Sequence, residues 1–128
     1  MKVNIPTSIG ELFDKITILE IKKERIDDSK KKIEINKELN LLTKIVKKKK
    51  LKTRKLSTYI KKLKKINTKL WIVEDKLRKM ERINKFDNMF ILNARNVYQL
   101  NDKRSAIKNK ISILTESNIN EVKSYESY

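Results

Sequence analysis

Three arginines and two lysines, Arg78, Arg95, Arg104, Lys23 and Lys108, are the residues of this chain best suited to hold an anion. An Arg side chain presents a planar fork that grips two oxygens of a carboxylate or phosphate, and it stays charged when desolvated. Six residues recur near these cations at helical spacing and could orient them: Asp14, Glu20, Glu74, Tyr98, Asn101 and Asp102. The chemistry on offer is anion binding, or stabilisation of a developing negative charge without a general base. Composition closes the commoner routes. The chain has no His and no Cys, which excludes a His-based triad, thiolate chemistry and a zinc site built from His or Cys. Neither a metal nor a cofactor is expected.

These polar residues stand where a helix should be dry. In GELFDKITILEIKKERI (residues 10–26), Leu12, Ile16, Leu19 and Ile26 continue a stripe begun by Ile9, yet Glu20 and Lys23 sit inside it. A second stripe on the same helix reads Asp14, Ile18, Ile21, Arg25. The third helix carries Asn67, Trp71, Glu74 and Arg78 beside its apolar seam. The fourth sets Asn93, Asn101, Arg104 and Lys108 within the arc of Phe90, Ala94, Val97, Leu100, Ile107 and Ile111, and adds the stripe Ile91, Arg95, Tyr98, Asp102. An unpaired buried charge costs too much to persist, so such groups must pair or reach water. Two arrangements satisfy that demand. One is an inter-helix network that fixes register, as polar residues at seam positions do in coiled coils. The other is a small anion site between helices, lined by Arg.

Local signals place the helices that carry these residues. Ser8 to Glu11 fits a capping box, with Glu11 reaching back to the cap amide, and starts a helix to about Ile26. Asp27, Asp28 and Ser29 break it and cap a second helix with Ile35, Leu39, Leu42 and Val46 on its seam. The basic stretch 47–55, KKKKLKTRK, reads as a turn or a frayed helix end, because like charges repel. Tyr59, Leu63, Ile66, Leu70, Val73, Leu77 and Met80 then alternate by four and three, a heptad seam. Leu63, Leu70 and Leu77 are expected among the most buried side chains. Asp87 caps a fourth helix over about 88–114, with Phe86 stapled onto Ile91. Residues 115–128 form a polar tail.

The predicted fold class is therefore all-α: an elongated antiparallel bundle of three to four helices with a long heptad-patterned third helix, and 1–128 as one domain. One Gly and one Pro leave too little turn punctuation for a sandwich or barrel. No apolar run is long enough to span a bilayer, and the start lacks the apolar core of a secretory signal, so the cytoplasm is the default location. The net charge is +17 and the pI about 10.0. That favours polyanions in general. Yet Lys, Asn and Ile are the residues AT-rich codons supply, which accounts for much of the charge with no ligand. The stretch 30–65 holds 15 Lys, Arg54 and only Glu34 and Glu38 as acids.

GELFDKITILEIKKERI, LWIVEDKLRKMER, FILNARNVYQLNDKRSAIKNKI and EVKSY occur in that order. Together they resemble a family of small bacterial proteins catalogued as domain of unknown function 6165. The resemblance covers nearly the whole chain outside the basic middle. It implies a helical single-domain protein and no assigned activity. One departure is Glu116-Ser117, where the resemblance leads one to expect Gly-Ser ahead of EVKSY. The stretch ELFDKITILEIKKERI also faintly resembles the first helix of all-helical chorismate mutases, although Thr17 stands where a second acid is usual and no Arg precedes it.

Three functions stay open from sequence. The first is a non-catalytic helical interaction or scaffold module, with a homodimer or a helical protein as partner. The second is a small enzyme or binder of an anionic metabolite with an Arg-lined site inside the bundle. The third is weak, non-specific binding of nucleic acid or an anionic surface through the Lys-rich segment. With one aromatic, Tyr59, in that segment, stacking on single strands is poorly supported.

Overall fold

Cap chemistry decides where three of the helices begin in the computed structural model, which describes residues 1–51, 53–115 and 127, the Thr53 side chain excepted. The expected polar tail and its Glu116-Ser117 departure lie, apart from Thr115 and Ser127, outside the described residues. Among the described residues, four helices follow one another: α1 (Ile9–Arg25), α2 (Ser29–Lys48), α3 (Thr53–Arg82) and α4 (Asn88–Leu114). The all-α expectation holds, with no strand among the described residues. The Ser8 hydroxyl accepts from the Glu11 amide at 3.1 Å, Asp28 accepts from Lys31 at 3.0 Å and Asp87 from Phe90 at 3.2 Å. Each satisfies an amide the helix itself cannot. No helix among the described residues is long and apolar enough to cross a membrane.

Two helices end in the same way. The Leu51 amide donates to Val46 and Lys50 to Lys47; the Lys85 amide donates to Met80 and Asn84 to Glu81. These paired bonds are Schellman motifs, which put one residue in the left-handed region. Lys50 (φ 52°) and Asn84 (φ 53°) occupy it. Asn tolerates that conformation better than Lys does. Lys47 and Lys48 thus finish α2, Lys49 and Lys50 turn the chain, and Arg54 and Lys55 stand at the start of α3. Lys50→Gly is expected to stabilise the fold by about 1 kcal/mol, read as a higher urea midpoint. A lower midpoint would mean that this turn is not left-handed.

The α1 helix packs on each of the other three, and α3 packs on α4. Leu12, Phe13 and Ile16 of α1 meet Leu56 and Leu63 of α3 and Ile111 of α4 in the core. Leu39, Leu42 and Val46 of α2 close over it. The core therefore sits where α3 begins and α4 ends. Toward the 83–87 loop, the α3–α4 hairpin continues as a two-helix arm. At 30 residues, α3 is about 45 Å long by its 1.5 Å rise per residue.

That arm corrects three expectations. Leu63 and Leu70 are buried, but Leu77 is only half-buried, because at its level α3 has α4 alone for a neighbour. Ala94 is exposed for the same reason. Phe86 packs edge-on against Phe90, ring centres 5.2 Å apart, and Ile91, its expected partner, is exposed.

Candidate functional site

Asp14 points from α1 into the space between α3 and α4, where a carboxylate is tolerable only with partners. Arg104 of α4 supplies a fork: Nε donates to Oδ1 at 2.8 Å and Nη2 to Oδ2 at 2.5 Å. Its Nη1 donates to the Asn101 side-chain oxygen Oδ1 at 3.3 Å. From α3, Asn67 Nδ2 donates to Asp14 Oδ1 and to Thr17 Oγ1, both at 3.0 Å. The Thr17 hydroxyl in turn donates to the Asp14 backbone carbonyl at 2.8 Å. Three helices are thereby tied at one level.

The ties continue along α4 as rungs of a ladder. One turn from Arg104, buried Lys108 pairs with Glu11 at 2.5 Å, so Glu11 serves an inter-helix bond besides its place in the N-terminal turn. One turn further, the Gly10 amide donates to Ser112 Oγ at 3.0 Å. Residues 10, 11 and 14 thus meet 112, 108 and 104, in reverse order along α4. The approach is closest at Gly10, where a Cβ atom would lie 2.2 Å from the Lys108 carbonyl oxygen.

A second cluster ties α1 to α3. Lys64 Nζ lies 2.6 Å from Glu24 and 3.5 Å from Glu20. The Glu24 hydrogen bond, with Glu20 adding to it, holds the Lys64 ammonium above the ordinary lysine value against the opposing effect of burial. Glu20 therefore stands in the apolar stripe because it crosses to α3. Lys23 has no such place: it is exposed at the edge of a groove of about 630 Å³, which Ile16, Glu20, Glu24, Leu39 and Thr43 also line.

The structure brings Arg104, Lys108, Asp14 and Asn101 together and sets the other candidates apart. Arg78 pairs with Glu74 on its own helix at 3.9 Å, their side chains 72% and 48% exposed. Arg95 is exposed and hydrogen-bonds Tyr98, also on its own helix, which raises the guanidinium above its usual value. Along α3, Arg78 stands about 16 Å beyond Asn67, and along α4 Arg95 stands about 13 Å from Arg104, at 1.5 Å per residue. Both lie on the arm, where no third helix covers them. Asp102 is half-buried near the Arg104 level. Two partners of the network were not legible as such. Lys64 is one Lys in a basic run, and Ser112 gives no signal beyond its spacing. The position of the single Gly at the start of α1 was the available clue to a close helix crossing.

Chemically, the arrangement holds three helices in register. Among the described residues, no buried side-chain nitrogen or oxygen lacks a hydrogen-bond partner. No group of three or more Asp, Glu, His or Cys residues there is placed to hold a metal ion.

A family model described as a family of unknown function (DUF6165) matches residues 1–128, the whole chain, and the protein belongs to that family. No curated protein and no solved structure matches it.

Proposed function

We propose that this member of a family of unknown function is a helical interaction module with no chemistry of its own. In this reading α1, α2 and the base of the α3–α4 hairpin form a rigid platform, and the arm is the contact element. The observation that carries the reading is a cluster of exposed apolar side chains around the 83–87 loop. Ile83, Phe86, Met89, Ile91 and Leu92 are all exposed, Ile83 at 70%, and all fall at the end of the arm. Single exposed apolar residues are ordinary, whereas a cluster at one end of a molecule marks a place that contacts something. The polar residues support the same reading, because Arg104, Lys108 and Lys64 are engaged with acids of α1 that hold the platform together.

The test places a photo-crosslinking residue at Met89 or Leu92 in cells that make the protein, with exposed Ile33 on α2 as the comparison. Discrete higher-mass adducts are expected from the arm positions and none from Ile33. Equal labelling at all three, or none anywhere, would overturn the reading. A thermal shift of the purified protein by simple carboxylates or phosphates at about millimolar concentration would replace it with the anion-binding one.

A further inference from the structure

We propose that the open groove between α3 and α4, on the side away from α1, seats an acidic amphipathic helix from another protein. The proposal rests on the interaction-module reading and names the partner class. The groove encloses about 290 Å³. Ile72, Val73 and Leu100 form its apolar floor, Asn96 and Gln99 edge it, and Lys69 and Lys103 stand on its two sides.

Helical periodicity extends the same pattern along both helices. At 3.6 residues per turn, Lys69, Ile72, Lys76, Lys79 and Ile83 fall on one strip of α3 and its end. On α4 the matching strip is Leu92, Asn96, Gln99, Lys103 and Lys110. Neither strip contains an acid. Asn67, Leu63, Arg104 and Lys108, which meet α1 or its core cluster, lie on the opposite faces of the same helices. The hairpin thus has one face covered by α1 and another with an apolar centre between lysine rims.

A helix fits this shape because two antiparallel helices leave a trough that a third helix fills, as α1 does on the other side. An acidic partner fits the rims, since lysines on both sides would meet its flanking carboxylates. A second copy would bring the same lysines and a net charge of +17, so self-docking here works against repulsion. A nucleic acid would find cations but no aromatic side chain in the groove to stack on.

The experiment uses the full chain and a fluorescent synthetic helix, with Leu at i, i+3, i+4 and i+7 spacing and Glu on its flanks. Controls are a scrambled peptide of the same composition and a single-stranded RNA oligonucleotide, read by anisotropy near physiological salt. Binding of the patterned helix is expected, with at least about tenfold weaker binding of the scrambled one. Ile72→Asp and the Lys69→Glu, Lys103→Glu pair should each weaken the patterned helix by about tenfold or more. These side chains are exposed, and unchanged far-UV circular dichroism and thermal midpoint would show that the variants fold. Equal binding of the scrambled peptide would reduce the groove to diffuse charge. RNA that binds more tightly and is lost in the same variants would assign the face to nucleic acid. A concentration-dependent dimer abolished by Ile72→Asp would assign it to a second copy. No binding of the patterned helix up to about 100 μM would sink the groove. If arm adducts at Met89 persist in cells after that last result, only the groove falls and the interaction-module reading stands.

Discussion

Arg104→Met is expected to lower the unfolding free energy by about 3 kcal/mol in urea melts. The substitution keeps the length and apolar stem of the side chain and removes the fork. Asp14, whose side chain is 4% exposed, then retains one donor, Asn67. Breaking a buried pair on one side costs several kcal/mol because the other charge is left uncompensated. The figure falls at the low end of that range because the Arg104 side chain is 27% exposed, so some water reaches the gap. Adding Asp14→Leu should recover most of the loss, since an apolar replacement of both partners leaves no buried charge. Arg78→Met is the contrasting case. Its partner Glu74 is on the same helix, both side chains are largely exposed, and the change should fall within about 0.5 kcal/mol. Equal costs for Arg104→Met and Arg78→Met would mean that the Asp14 pair does not hold the platform.

That contrast marks what the sequence could and could not convey. Arg78 stands beside the seam of its helix and Arg104 within the apolar arc of its own, and both positions call for a partner. Nothing local distinguishes an Arg that meets a third helix from one that meets water. The difference arises from where α1 meets the α3–α4 hairpin, since its side-chain bonds fall at Lys64 and Asn67 of α3 and at Arg104, Lys108 and Ser112 of α4. Leu77 and Ala94 differ from expectation for the same reason: a seam shows which face is apolar, not how many neighbours press on it. Helix ends were legible because their chemistry is local. Ser8, Asp28 and Asp87 cap within three residues of themselves, whatever the rest of the chain does. Glu20 lay between these cases. Its position inside an apolar stripe showed that it needed a partner, but Lys64 is one of many lysines and only the packing of α1 on α3 selects it.

Gly10→Ala is expected to destabilise the protein by about 2–3 kcal/mol, although Ala is the better helix former. Ala in place of Gly would favour α1 by about 1 kcal/mol at most, and less in its first turn, where the helix is only beginning. Against this stands the crossing with α4. A Cβ at position 10 would lie 2.2 Å from the Lys108 carbonyl oxygen and 2.8 Å from Ser112 Oγ. The nearer atom belongs to the backbone of α4, so no rotamer change can relieve the overlap. The helices must separate, and overpacking of this kind costs about 1–3 kcal/mol or more. The cost spreads because the rungs share one geometry. Moving α1 lengthens the Gly10–Ser112 and Glu11–Lys108 bonds and loosens Arg104 on Asp14. Gly10→Ala and Arg104→Met should therefore be non-additive, the double variant losing less than the sum of the two because the first already weakens what the second removes. Strict additivity would show that the contacts at Gly10 and Asp14 act independently. A neutral or stabilising Gly10→Ala would place α1 farther from α4 than this crossing requires, and the ladder would lose its closest rung.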